Sequence, residues 1–511
     1  MSESNDDQSA VDAVSTVLSG GVLVSLGKVL ALAAGFLTQV TMARLLTEAA
    51  YGEVVLALSV VNILGLIGKM GLDDGLMRQF PHYEDDPAKA HGVVRAGFGL
   101  GVLSGLSIGA AIFLAAPIIA GRIFDNPSLV PLIRLAAVIV PLATINQIAV
   151  SLARGARDAR PRAYINQALQ PGSRFVLTAV FLLLGLDAIG AIGGKVGSVL
   201  IGTVLVVWMA YRILPSYDVD PEPMYRPVLA FSIPLILVQG LGFLNTNVDI
   251  YMVGYFLESG DLGIYNIGLQ LSNMVSAVLM TAGFLLPPMM TRLYDQGQTA
   301  ETRRVYQLIT KWMVVIILPV VIVLFFAPRL VIGTLFGEGY IPGATALRIL
   351  LVAKVVGILM GLNTQGLIAL GENKIVSYVI ACQTAVNVAL NVLLIPVIGI
   401  EGAAIGMAVS GIVGDVLGVA ILHRKFSVHP FSRSVLAPLG TIGGVATLTA
   451  AALFVLEAPL YWTVPVVGLV YLPIVVLLVP EPEDRELLTR VEDQIGVDLS
   501  LVDRLLFRNQ H

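Results

Sequence analysis

Lys28, Arg174, Lys195 and Lys354 each fall well inside a run of apolar residues. A charge at such a depth is costly in hydrocarbon, and it is kept where it faces a water-filled cavity or a partner. Lysine offers a mobile point charge and arginine a planar fork that matches phosphate oxygens. The set therefore points to a cationic cavity for a phosphate-bearing molecule. Lys69 is a further candidate, although it, Arg78 and Lys311 stand near span ends, where snorkelling or a structural ion pair competes with that role. Acids within apolar runs are fewer. Asp249 and Asp415 are the candidates for taking up a proton or a sodium ion. Amides cluster at Asn245, Asn247, Asn266, Gln270 and Asn273. A second set, Gln383, Asn387 and Asn391, recurs every four residues and shares one helical face. These amides suit sugar hydroxyls, and equally suit bonds to neighbouring helices.

Enzyme chemistry finds little support. The histidines, His82, His91, His423, His429 and His511, all fall in loops or the tail. No HExxH run exists. Asp85–Asp86 reads as a solvated loop pair. Gly27–Lys28–Val29 mimics the end of a phosphate-binding loop, but Gly21 is one residue too far upstream and Val29 replaces the hydroxyl residue. ATP is therefore not the fuel of this chain. One cysteine, Cys382, excludes an internal disulfide and argues against a thiolate metal cluster; it reads as a small packed side chain. The expectation is a non-enzyme with no metal, no resident cofactor and no nucleic-acid partner.

The elements that position these residues are membrane helices. Of 511 residues, 56% are apolar and 13% charged, against about 25% charged in an ordinary soluble protein, and the mean hydropathy is +0.86. A spanning helix takes roughly 20 residues, so an all-α polytopic membrane protein with about fourteen spans is expected. No stretch alternates with period 2, which argues against a β-barrel. Among the expected spans are 18–43, 53–77, 129–152, 163–185, 306–327, 345–370 and 375–397. Loops after even-numbered spans hold sixteen Lys and Arg; loops after odd-numbered spans hold three, Arg44, Arg122 and Arg329. The positive-inside rule then places both termini in the cytoplasm. The acidic start lacks the basic region of a cleavable signal, so 18–43 is expected to stay as the first span.

A weak internal duplication runs through the chain. Gly52 pairs with Gly263, Phe124 with Phe336, Arg134 with Arg348, Tyr164 with Tyr378, Gly185 with Gly399 and Asp187 with Glu401. The expected organisation is an acidic tail (1–17), a first lobe of helices 1–6 (18–213) and a second of helices 7–12 (227–425). Two extra helices (434–479) and an amphipathic cytoplasmic tail (480–511) follow. Gly97, Gly101, Gly105 and Gly109, and then Gly402, Gly406, Gly414 and Gly418, favour close helix packing within the chain. Prolines within spans, including Pro141 and Pro319, are candidate kinks.

Against this background the residues resemble a known family. ARLLTEAAYGEVVLA at 43–57 and GKMGLDDGLMRQFP at 68–81 resemble the opening of Wzx-like polysaccharide flippases of the MOP exporter superfamily. NVDIYMVGYF at 247–256 with DLGIYNIG at 261–268 resembles the start of that family's second lobe, and GIEGAAIG at 399–406 its helix 11–12 turn. The resemblance spans about residues 15–480. It implies two six-helix lobes in a V, alternating access, and export of a polyprenyl-linked oligosaccharide through a cationic cavity to which Lys28 and Lys69 contribute. Asp73 and Asp74 stand beside Lys69 and are expected to weaken its part. Arg174 rests on the residue argument alone. The acidic tails suggest an archaeal source, and with it a dolichyl rather than an undecaprenyl carrier. The expected setting is a prokaryotic cell membrane, the partners its lipids and glycan-assembly enzymes, and the driving force an H+ or Na+ gradient or the membrane potential. A MATE-type drug or cation antiporter is the rival, disfavoured because central bases outnumber acids; a lipid II flippase is another. A membrane glycosyltransferase would need long outer loops, which are absent here.

Overall fold

The computed structural model describes residues 27, 29–214 and 219–455, together with 462, 465–471 and 473. The two acidic tails, the start of the first span, Lys28 and most of the fourteenth span lie outside these residues. Within them the chain is helical, with no strand. The helices are α1 (Val29–Leu45), α2 (Glu48–Lys69), α3 (Leu72–Gln79), α4 (Pro87–Ile118), α5 (Leu129–Ala137) and α6 (Ile139–Gly155). They continue as α7 (Gln170–Leu183), α8 (Asp187–Ile213), α9 (Tyr225–Phe256), α10 (Ser259–Asp295) and α11 (Thr299–Phe326). The last are α12 (Pro328–Leu335), α13 (Ala344–Leu359), α14 (Asn363–Ala369), α15 (Asn373–Ile398), α16 (Ile400–Phe426) and α17 (Arg433–Val455). Eight continuous helical segments among the described residues are long and apolar enough to cross a membrane. The chain is thus a multi-pass membrane protein. It divides into two compact units, 1–263 and 264–511.

Three expected spans are broken. The run 53–77 parts at Met70 and Gly71, both left-handed (φ 51° and 65°), into α2 and α3. The carbonyl of Gly68 beside the break accepts from Ser104 Oγ at 2.7 Å, which satisfies one of the groups a helix end leaves open. The run 129–152 breaks at Val138, three residues before Pro141, whose ring cannot continue the hydrogen-bond ladder. The run 345–370 breaks at Gly361 (φ 72°) between α13 and α14, where a Cβ would stand 2.7 Å from the Tyr306 hydroxyl and from Thr310 Oγ1. The run 163–185 starts earlier than expected, as a π-helical turn, Pro161–Leu169, leading into α7.

The glycine rows pack inside their own unit, as expected. In the first unit Gly101 lies on Ile148, and a Cβ on Gly105 would come within 2.9 Å of Pro141 Cα. In the second, a Cβ on Gly402 would meet the Leu394 backbone at 2.6 Å, and one on Gly414 the Gln383 side chain at 2.9 Å. Matched turns recur as well. Gly185 and Gly399 both have positive φ (78° and 64°), and each closes a helical hairpin, α7–α8 and α15–α16. Two expectations are corrected. Cys382 is exposed rather than packed. Lys311 is not near a helix end: α11 begins at Thr299, so Lys311 sits a full three turns in and is buried, 1% exposed, with its ammonium 6.0 Å from the Trp312 ring centre. Asp86, read as a bland loop residue, caps α4 by accepting from Lys89 N (3.2 Å) and pairs with the Lys89 ammonium (2.9 Å).

Candidate functional site

In the first unit the antiparallel pair α7–α8 brings the bases together. Gln167, Gln170 and Arg174 are spaced three and four apart, so they form one stripe along the π-turn and α7. Lys195 and Gly202, seven apart, form a matching stripe on α8. The two helices approach closely at Gly194, where any side chain would overlap Thr178 of α7. That contact sets Lys195 opposite α7 at the depth of Arg174. Lys69 enters from the end of α2, where the helix dipole also favours a positive charge. Lys195 lies within electrostatic reach of both Arg174 and Lys69. Arg174 lies within reach of the Tyr51 hydroxyl, which donates to Gln39 Oε1 at 2.7 Å. All three bases are half-buried.

No ion pair joins Lys69, Arg174 or Lys195 to a carboxylate among the described residues. Asp73 and Asp74 do not neutralise Lys69. They start α3 beyond the break, where both accept from Gln239 Nε2 of α9, at 3.1 and 2.9 Å. Arg174 Nε is buried with no hydrogen-bond partner. Five more buried polar atoms without one lie on α6 (Thr144 Oγ1, Asn146 Nδ2), the π-turn (Asn166 Oδ1, Gln167 Oε1) and α7 (Thr178 Oγ1). Leaving such an atom unpaired costs about 1–3 kcal/mol, so the cluster is poised for polar ligand groups. Asn146, Asn166, Gln167 and Gln170 are not among the residues that charge at depth or amide clustering picks out. The three-and-four spacing of Gln167, Gln170 and Arg174 was the available signal.

The remaining candidates stand on other helices. Lys28 is outside the described residues. Lys354 is in the second unit, on α13, where its ammonium donates to Asn273 Oδ1 (3.4 Å) and lies within reach of Asp415. Asp415 on α16 accepts from Asn363 Nδ2 at 2.8 Å and packs over Gly357. Asn387 is 3% exposed and serves the α15–α16 contact: it donates to Ser410 Oγ (3.1 Å) and accepts from Asn391 Nδ2 (2.7 Å). Gln383 lies against Gly414 in the same contact. Asn266 is buried in α10, with Gln270 half-buried one turn on. On α9, Asn245 is half-buried and Asp249 buried, the latter within reach of Tyr251, whose hydroxyl donates to the Ser59 carbonyl at 2.9 Å.

Residues 41–345 match the family model described as polysaccharide biosynthesis protein. The chain belongs to that family. It is 24% identical over 296 residues to the teichuronic acid biosynthesis protein TuaB of Bacillus subtilis, an alignment covering 55% of this chain and 58% of that one. The chain spans about half the length of the curated relatives it matches. Its fold is that of MOP-superfamily transporters. The inward closed structure of the lipid II flippase MurJ superposes with a TM-score of 0.67 over 88% of this family member and 98% of MurJ, at 12% identity. An inward-facing multidrug MATE transporter gives 0.62 over 77% and 94%, at 17% identity.

Proposed function

We propose that this polysaccharide biosynthesis family member moves a polyprenyl-(pyro)phosphate-linked oligosaccharide or polysaccharide precursor from the cytoplasmic to the outer leaflet, by alternating access. The observation that carries this is that Lys69 and Arg174 lie within electrostatic reach of Lys195, with no carboxylate paired to any of the three among the described residues. A lipid-linked sugar bears its phosphate between tail and glycan. To cross, that anion must leave water, and fixed positive charge offsets the desolvation. An organic cation would be repelled by the same trio, which disfavours drug or cation antiport.

In this reading residues 18–213 and 227–425 are the two moving lobes. Residues 434–479 add two helices, and both tails lie in the cytoplasm of the host cell membrane. The carrier is dolichyl or undecaprenyl, glycan-assembly enzymes supply the cargo, and Asp415 with Asn363 and Lys354 forms the place where an H+ or Na+ gradient, or the membrane potential, acts. Lys28 joins the basic set from the first span. The test is transbilayer movement of a lipid-linked oligosaccharide in proteoliposomes holding the purified chain. Movement above protein-free vesicles supports the proposal; its absence, with the chain folded and inserted, contradicts it.

A further inference from the structure

A groove of about 540 Å³ opens along α4 and the start of α9, both in the first unit. Arg95, Gly99, Val102 and Leu106 line it from α4, and Tyr225 lines it from α9. The α4 residues are spaced four, three and four apart, so they form one stripe of the helix. Val102 and Leu106 are exposed, and α4 lies in a segment apolar enough to cross a membrane. What covers these side chains is therefore hydrocarbon. Gly99 forms the floor. A Cβ there would stand 3.6 Å from Tyr225 Cε1 and 3.7 Å from the Tyr225 hydroxyl. The hydroxyl thus reaches the α4 stripe one turn from Arg95.

The two ends of the groove differ in chemistry. At one end neither the exposed Arg95 guanidinium nor the Tyr225 hydroxyl has a partner among the described residues. Arg226, also exposed, has no ion pair among them either. The acids near this end answer another base: Asp86 pairs with Lys89 at 2.9 Å, and Lys89 lies within reach of Glu222. Arg95 and Arg226 therefore leave this end positive, and the other end, at Leu106, is apolar. From Arg95 to Leu106 the helix rises about 16 Å, roughly half of a 30 Å hydrocarbon core. The loops at the basic end, 78–92 and 212–227, are those the charge rule sets in the cytoplasm. In that orientation the groove runs from the cytoplasmic headgroups to the middle of the bilayer.

We infer that this groove binds an anionic phospholipid of the cytoplasmic leaflet, with its phosphate on Arg95 and the Tyr225 hydroxyl and one acyl chain along Gly99, Val102 and Leu106. The planar guanidinium matches two phosphate oxygens with charge-assisted bonds, and basic pockets at the cytoplasmic ends of membrane helices take lipid headgroups in this way. A headgroup of net negative charge is preferred to a zwitterionic one, because Arg95 and Arg226 have no acid to balance them. The assignment goes beyond the transport proposal and does not depend on the nature of the cargo.

The experiment is native mass spectrometry of the purified full-length chain, titrated in detergent with dioleoyl phosphatidylglycerol or dioleoyl phosphatidylcholine. The first equivalent of phosphatidylglycerol should bind about tenfold more tightly than the first of phosphatidylcholine, the scale of one charge-assisted contact. Arg95→Gln should abolish that preference, and Arg95→Lys should keep part of it. Gly99→Leu places a side chain in the groove and suits a helix better than glycine does. It should weaken the first equivalent of both lipids. Arg122→Gln, just beyond the far end of α4, should change neither. No preference in the unaltered chain, a preference that survives Arg95→Gln, or an affinity that survives Gly99→Leu would overturn the site. Displacement of phosphatidylglycerol by a lower concentration of farnesyl diphosphate would assign the groove to an isoprenoid carrier and overturn the phospholipid.

Discussion

Gly52 and Gly263 pack reciprocally against each other's turns. A Cβ on Gly52 would overlap the Ser259 carbonyl and stand 3.0 Å from the Gly263 nitrogen; one on Gly263 would overlap the Glu48 carbonyl and stand 3.2 Å from the Gly52 nitrogen. Nearby, Asn126 Nδ2 donates to Glu53 Oε1 at 3.2 Å and to Ser259 Oγ at 3.1 Å, and Ser128 Oγ also donates to Glu53. The obstructing atoms are backbone, which cannot swing aside. Gly52→Ala should therefore destabilise the chain by about 1–3 kcal/mol, the usual scale of overpacking. Thermal unfolding in detergent measures it, and an unchanged midpoint would contradict the contact.

Asn387 links Ser410 and Asn391 between α15 and α16. Asn387→Ala strands the buried Asn391 Nδ2, while Ser410 Oγ keeps its bond to the Met407 carbonyl, and should lower stability by about 1–3 kcal/mol. Farnesyl diphosphate affinity of the folded fraction should stay the same. A loss of ligand affinity without loss of stability would return Asn387 to the sugar contacts.

His429 anchors the segment between α16 and α17. Its ring lies 5.2 Å, centre to centre, from that of His423 on α16, and Gln307 of α11 donates to the carbonyls of His429 (3.1 Å) and Phe431 (3.1 Å). Burial, then the neighbouring His423 and Arg303, hold its pKa below the ordinary histidine value. Folding thus favours the neutral ring. The stabilisation is present above the ordinary pKa and is lost as pH falls through the lowered one. Amide exchange of residues 427–432 should rise, relative to the intrinsic rate, as pH falls below the ordinary histidine pKa. His429→Gln should flatten that dependence; the same pH response in the variant would show that another group controls the segment.

Asp415 accepts from Asn363 beside the broken α13–α14 helix. If ion coupling acts there, Asp415→Asn should keep ligand binding and lose most of the response of transport to an imposed H+ or Na+ gradient. Gradient-driven transport equal to that of the unaltered chain would place coupling elsewhere.

Much of the architecture was legible because hydrocarbon imposes so few solutions. Apolar runs of membrane length marked the helices, and the glycine rows announced packing that Gly101 and Gly402 now make. Breaks at Met70 and Gly361 were not legible, because each lies within a run of membrane length and is fixed by tertiary partners: Ser104 at the first, Tyr306 and Thr310 at the second. Arg174 and Lys195 could be singled out from their depth alone, but their meeting depends on the α7–α8 hairpin. Lys354 was singled out on charge alone; its neighbours, Asn273 of α10 and Asp415 of α16, come from the packing of the second unit. Lys311 was misplaced because the start of α11 was read seven residues late. Asn146 and Asn166 escaped notice because one amide in an apolar helix is common; a lone donor and acceptor left over from their mutual bond is a fact of geometry.

The central claim is that Lys69, Arg174 and Lys195 together bear the anionic part of the cargo. Glycan export in a flippase-deleted host carrying Arg174→Gln, with membrane protein level as control, tests it most directly. Export should fall severely at unchanged protein level, with the same result for Lys28→Gln if the first span joins the site. Arg174→Lys should recover part of it, since lysine restores the charge without the planar pair of donors. Normal export by Arg174→Gln, or loss of export that tracks loss of folded protein, would contradict the account.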